Sequence, residues 1–231
     1  MKILALESSA VAASVALCED ETLIAQAFQN TGLTHSQTLL PLAEDLLKNC
    51  GLTMADMDLI AVAEGPGSFT GLRIGVATAK GLAWAEDKDC APCSTLESMA
   101  WPLAHMEGRL IVCAMDARRQ QIYNALFEAG NGELTRLTED RAIALAELAE
   151  ELRGDSRPIT VVGDGARLAY DYFNANDIPC RLAPPHLVMQ NAASVALEAE
   201  ALAREGKLVS AQELEPVYLR PAQAERLRSK K

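Results

Sequence analysis

The residues best suited to chemistry lie in one run, Gly65-Pro66-Gly67-Ser68-Phe69-Thr70-Gly71-Leu72-Arg73-Ile74-Gly75. Glycines permit positive φ and a close approach of backbone. A helix is expected from about Leu72, with Ser68 or Thr70 available to cap it. Free N–H groups and the helix dipole would converge there, which is the chemistry of anion binding. The run is neither a P-loop nor a dinucleotide fingerprint, because GxxxxGK[ST] and GxGxxG both fail. The plainer alternative is a sharp strand-to-helix turn. Behind it Gly71, Gly75, Ala79 and Ala83 recur on one helical face, with Gly81 nearby. Each mid-helix glycine costs roughly 1 kcal/mol against alanine. Close packing must offset that cost, either against the helix expected near residues 35–50 or against helices of another protein.

The remaining reactive side chains form no complete catalytic set. His35, His105 and His186 are far apart, and the residues four positions after His35 and His105 are Leu39 and Arg109. One histidine is not a metal site. No GxSxG elbow or HExxH motif occurs. Cys90-Ala91-Pro92-Cys93 has the spacing of a redox couple or half a zinc site. Its apolar setting, like that of the other four cysteines, reads better as reduced core thiols.

Composition narrows the class. The 231 residues are 49% apolar and 23% charged, enough for one large domain or two small ones. No apolar run is long enough for a membrane span, and Glu7 arrives too early for a signal peptide, so a cytoplasmic chain is expected. The net charge is −11. A stand-alone tRNA or DNA binder usually shows a basic surface. Here basic residues gather only at the end, in Arg220, Arg226, Arg228, Lys230 and Lys231. They read as a solvated end or as a basic tether to a partner or RNA.

Periodicity supplies the elements that must position these groups. Residues 2–6, 13–17 and 22–28 read as a β-meander, with a turn at 19–21. A helix follows Thr34 and ends at Gly51, with Pro41 expected to kink it. Residues 59–63 read as a buried strand, followed by the helix at 72–85, a strand at 90–93 and a helix at 95–105. The second half repeats the order: strands at 110–115, 122–127 and 134–137, a helix at 142–152, a strand at 159–162 and a helix at 166–173. Leu6 leads into Glu7 as Met115 leads into Asp116, and Gly65-Pro66-Gly67 recurs as Gly163-Asp164-Gly165. Two βββαβα units in tandem imply two mixed sheets with helices on their faces and a cleft between them. This is the α/β architecture of the actin/Hsp70/sugar-kinase-like (ASKHA) class. The expected division is residues 1–105 and 106–231, with a helix at 190–205 able to pack back on the first unit.

Several segments resemble the TsaB (YeaZ) family, non-catalytic paralogues of TsaD within the former glycoprotease group. They are Ile3-Leu4-Ala5-Leu6-Glu7-Ser8-Ser9, Thr34-His35-Ser36-Gln37 through Pro41, the Gly65–Gly75 run, Met115-Asp116-Ala117-Arg118-Arg119, Gly163-Asp164-Gly165 and Pro216-Val217-Tyr218-Leu219-Arg220. Glu7 stands where an Asp is common, and the tail after Arg220 departs from the pattern. The resemblance implies a part in forming N6-threonylcarbamoyladenosine at position 37 of tRNAs that read ANN codons. It implies no catalysis by this chain and no cofactor of its own: ATP and metal belong to partners. Those partners are a TsaD-type transferase, bound as a heterodimer through the first two helices, and a TsaE-type ATPase in the larger complex. The free chain is expected to form a homodimer through the same face and to meet tRNA only through the complex. Expected interface residues are His35, Thr38, Arg73, Gly75, Thr78, Ala79 and Lys80. A vestigial anion or nucleotide cleft would involve Glu7, Ser8, Ser9, Gly65, Gly67 and Asp116. In phosphate-binding hairpins of actin-like enzymes an Asp is followed two residues on by glycine, whereas Ser9 takes that place here. A kinase-like phosphotransferase, a peptidase and a purely structural homodimer are the competing readings.

Overall fold

The computed structural model describes residues 1–220; the basic residues beyond Arg220 lie outside them. The first sheet contains β1 (Lys2–Glu7), β2 (Ala13–Glu19), β3 (Thr22–Gln29), β4 (Leu59–Gly65) and β5 (Asp89–Ser94), in the order β3-β2-β1-β4-β5. The meander is antiparallel, and β1, β4 and β5 run parallel. The β2–β3 turn places Asp20 and Glu21 at φ 48° and 65°, the two left-handed positions that suit a tight hairpin with strand-like twist. Helices α1 (His35–Asn49) and α2 (Phe69–Ala85) cover one face. Helix α1 runs continuously through Pro41, and Gly51 at φ 68° follows its end.

The second sheet repeats the order. It contains β6 (Arg109–Asp116), β7 (Gln121–Gly130), β8 (Glu133–Arg136), β10 (Ile159–Val162) and β11 (Cys180–Leu182), arranged β8-β7-β6-β10-β11, with β9 (Arg141–Ala144) also paired to β7. Helices α4 (Leu145–Leu152) and α5 (Ala166–Ala175) cover one face. The tandem sheets have the α/β ASKHA architecture expected from the sequence.

The remaining faces are covered by exchange. Helix α3 (Thr95–Ala100) places Leu96, Met99 and Ala100 on Ile111, Cys113, Ala125 and Phe127 of the second sheet. Helix α6 (Ala192–Arg204) places Ala192, Val195, Ala196 and Ala199 on Ile3, Ala5, Ala16 and Ala61 of the first. A cut at 105/106 therefore separates the sheets in sequence while packing crosses it both ways. Polar contacts reinforce the joint. Ser94 Oγ donates to Asp140 at 2.7 Å, and Arg136 of β8 donates to Glu97 of α3 at 2.8 Å. Buried Glu198 of α6 accepts from Ser94 N at 2.7 Å and from Ser98 Oγ at 2.6 Å.

Several boundaries differ from the sequence expectation. Helix α2 begins at Phe69, because Ser68 caps it and the glycine-rich turn is already helical. Helix α3 gives way at Trp101 to a 3-10 turn, where Pro102 has no N–H to continue the α ladder. Residues 141–144 form a strand rather than the start of a helix. Pairing with β7 overrides the helical preference of the alanine-rich segment. Strand β11, only three residues long, was not expected at all.

Candidate functional site

The glycine-rich run meets the β1–β2 hairpin rather than an open anion site. Ser68 N donates to Ser9 O at 2.6 Å, Ser8 Oγ donates to Gly71 O at 2.9 Å, and Gly71 N donates to Ser68 Oγ at 3.3 Å. A Cβ on Gly67 would lie 2.5 Å from Ser9 O, one on Gly71 2.1 Å from Ser8 O, and one on Gly75 2.4 Å from Ser8 Oγ. These glycines admit the hairpin. Gly65, at φ 140°, is held against Val217 O, which a Cβ would approach to 2.3 Å. Two amides at the start of α2 that could bind an anion are thus already bonded within the chain.

Glu7 ends β1 in full burial. One carboxyl oxygen accepts from Ser9 N at 2.5 Å, and the other has no partner. Burial pushes its carboxyl up to about 7, because ionisation in an apolar setting is unfavourable. Burial likewise pushes Glu64 up to about 7, with the Asp140 charge adding to it.

Between the sheets lies a cleft of about 420 Å3, whose lining includes Ser9, Gly67, Asp116, Arg118, Asp164 and Arg220. Of the six residues expected there, Ser9, Gly67 and Asp116 line it; Glu7, Ser8 and Gly65 do not. Asp116 Oδ1 accepts from Arg118 N at 2.7 Å. Asp164 accepts from Gln190 at 2.9 Å, and burial, with a smaller contribution from Asp116, raises its carboxyl. The turn after Asp116 holds Arg118, Arg119 and Gln120 consecutively at φ 67°, 57° and 57°, a left-handed run that costs side-chain-bearing residues about 1–2 kcal/mol each.

The segment 216–220 crosses the cleft mouth, a placement the sequence motif did not reveal. Val217 N donates to Glu64 O at 2.8 Å, Tyr218 stacks on Phe69 with centroids 4.9 Å apart, and Arg220 donates to Ala117 O at 3.0 Å. It joins α2 to the second sheet's first hairpin. Contacts of this kind, long-range in sequence and set by side-chain stacking, leave no local periodicity to read.

The outer helix face requires correction of the expected interface set. Gly71, Gly75, Ala79 and Ala83 are all buried against the chain's own first sheet, so the small-residue stripe is internal packing. Gly75 and Ala79 are therefore not exposed contact positions, and Thr38 is buried as well. Thr78 is half-buried, and its hydroxyl bonds Ile74 O at 2.8 Å. His35 bonds Ala10 O at 2.8 Å. Lys80 donates to Gln212 O and Leu214 O. Arg73 is exposed, but its guanidinium stacks 3.8 Å from the Phe69 centroid and donates to Tyr218 Oη at 2.9 Å. Three of the expected interface side chains thus clamp neighbouring segments.

The opposite face of α2 shows Arg73, Ala77, Gly81 and Trp84 at helical spacing, all exposed. Trp84 is 69% exposed, and a Cβ on Gly81 would meet nothing within 4 Å. On α1 and just before it, Leu40, Pro41 and Leu33 are also exposed. Sequence reasoning singled out the inner stripe and passed over this one, although Ala77-x-x-x-Gly81 carries the same spacing.

Among the described residues no three His, Cys, Asp or Glu side chains converge as a metal site requires. Cys90 and Cys93 are free and fully buried, and belong to the cores on opposite faces of the sheet. Three residues apart on a strand, they point away from each other. No helix among the described residues is long and apolar enough to cross a membrane.

Comparison with known proteins then places the chain. The family model described as TsaD, tRNA N6-adenosine threonylcarbamoyltransferase, matches residues 29–226. The tRNA threonylcarbamoyladenosine biosynthesis protein TsaB of Bacillus subtilis is 38% identical over 168 residues, 73% of each chain. That of Escherichia coli is 32% identical over 222 residues, 95% of each. The solved structure of YeaZ from Pseudomonas aeruginosa, 26% identical, superposes with TM-score 0.80 over 94% of this chain and 99% of that one. Component A of (R)-2-hydroxyglutaryl-CoA dehydratase from Acidaminococcus fermentans shares the fold alone, at TM-score 0.54 and 11% identity over 88% of this chain and 99% of that one.

Proposed function

The chain belongs to the TsaB family of tRNA threonylcarbamoyladenosine biosynthesis proteins, and from that membership we propose that it serves the pathway as a non-catalytic, heterodimerising adaptor for a TsaD-type transferase. The observation that carries the reading is the outer face of α2. A tryptophan exposed over most of its surface and a mid-helix glycine that packs against nothing among the described residues are both unfavourable in a free monomer. A docked helix would bury the first and use the close approach allowed by the second. Exposed Leu33, Leu40 and Pro41 extend the surface.

The cleft supports the same reading. Ser9 and Gly67 close on each other where an actin-like enzyme would seat phosphates, and two donors at the start of α2 are already satisfied. The chemistry then rests with partners. The TsaD-type transferase supplies the metal and transfers the threonylcarbamoyl group to position 37 of tRNAs reading ANN codons. A TsaE-type ATPase joins the complex, and tRNA reaches this chain through it. Alone, the chain pairs with a second copy through the same face, in the cytoplasm. Its contribution is a rigid helix pair, held by the inner stripe and by the Lys80 and Arg73 clamps.

Product formation on unmodified tRNA tests this. With the TsaD-type transferase, the TsaE-type ATPase and the adenylate-forming enzyme present, threonylcarbamoyladenosine should form only when this chain is added. Equal product without it, or ATP hydrolysis by the chain alone, would overturn the adaptor role.

A further inference from the structure

We propose that the arginine-lined groove at the N-terminal ends of β6, β10 and β11 binds a phosphate-bearing ligand. The groove encloses about 710 Å3, within the usual size of small-molecule sites. It lies at the far end of the second sheet from the cleft, which Asp116 and Asp164 line beyond the C-terminal ends of β6 and β10.

Strand pairing builds the site. Strand β10 lies between β6 and β11, and its register sets Ile111, Thr160 and Arg181 side by side. Arg109 precedes Ile111 by two residues, so it leaves the sheet on the same face as Thr160 and Arg181. Its Nη1 donates to Thr160 Oγ1 at 3.2 Å. Arg109 is thus anchored on the buried Thr160 hydroxyl, and Arg181, opposite Thr160 in the β10–β11 register, lines the same groove. Neither forms an ion pair among the described residues, in contrast to Arg157, which is held by Asp155 and Glu128. That pairing also neutralises Asp155, leaving the exposed Asp177 as the other acid lining the groove. Ile178 and Pro179 supply an apolar wall.

Arg109 on β6 and Arg181 on β11, with β10 between them, line one groove without an ion pair among the described residues, in a chain whose net charge is −11. The planar fork of arginine matches phosphate oxygens two at a time. An apolar wall beside such a pair suits a nucleoside phosphate. The phosphate could come from a free nucleotide or from an RNA strand; the recognition chemistry is the same. The inference is independent of the adaptor role.

Amide chemical shifts of the full chain, followed while AMP, inorganic pyrophosphate or a short single-stranded oligoribonucleotide is added, test it. Saturable shifts are expected at Arg109, Thr160 and Arg181. The double variant Arg109→Gln/Arg181→Gln, with its melting temperature preserved, should bind about tenfold more weakly or worse. If the double variant does not fold, Arg181→Gln alone, on an exposed side chain, should still weaken binding. Tight binding of AMP or pyrophosphate identifies a free nucleotide as the ligand. Binding of the oligoribonucleotide alone, falling steeply with salt, identifies an RNA strand. Shifts confined to Ser9, Gly67 and Asp116, no saturable shift with any probe, or equal binding by the variants would each overturn the proposal.

Discussion

The two faces of α2 carry nearly the same residue pattern and do opposite things. Gly71, Gly75, Ala79 and Ala83 face inward, where the hairpin and first sheet leave no room for larger side chains. Ala77 and Gly81 face outward beside Trp84, with open space around Gly81. A small residue on a helix therefore has two physical meanings. It marks close approach by the chain's own backbone, or room for another molecule. Only the surroundings distinguish them.

Substitution should separate the two faces clearly. The largest effect is expected inside. Gly71→Ala puts a methyl 2.1 Å from Ser8 O, a backbone atom that cannot swing away, and should destabilise folding by about 3–5 kcal/mol in urea unfolding. A loss below about 1 kcal/mol would mean that the hairpin yields easily.

Next comes the acid that the inner packing buries. Burial pushes the folded Glu7 carboxyl up to about 7, above its ordinary value of about 4.5. Folding therefore favours its protonated form. The native state carries no penalty from this group below pH 4.5. The penalty grows as pH rises towards 7 and is complete above it, at about 3 kcal/mol. Glu7→Gln keeps the acceptor for Ser9 N and should remove that part of the fall in stability between pH 4.5 and 7. A variant with the same pH slope as the parent would contradict the assignment.

Outside, effects should move from folding to association. Trp84→Ala should leave unfolding within about 0.5 kcal/mol of the parent, as for surface sites. It should weaken binding to the TsaD-type partner by about 2 kcal/mol, measured by calorimetry, if Trp84 is an interface anchor. The smallest change is expected from Gly81→Ala. It should stabilise the free chain by up to about 1 kcal/mol, because alanine is the better helix former and has space there. The same variant should weaken the heterodimer. A tighter heterodimer would show that the outer glycine does not serve close approach.

Much of the fold was legible. Strands β1, β2, β4, β6 and β10 are apolar runs bounded by turn residues, and all are buried on one or both faces. Such runs need no partner to be recognised. Short pieces interrupted by arginine were not: β9 (RAIA) and β11 (CRL) carry no continuous apolar run, and exist because β7 and β10 offer an edge. Within the candidate site, the sequence located the glycine-rich run but not what fills it. Arg73 and Lys80 read as free cations on an outer face because their acceptors, Tyr218 and the carbonyls of Gln212 and Leu214, lie more than a hundred residues away.

By itself the sequence determined the tandem repeat, the two mixed sheets and the family, since each rests on residue type and local pattern. Tertiary structure alone decided which helix covers which sheet, which side of α2 is core, and where segment 216–220 crosses the cleft. Those outcomes depend on burial and on contacts between residues distant in the chain, and a helix turned by half a revolution would present the same sequence.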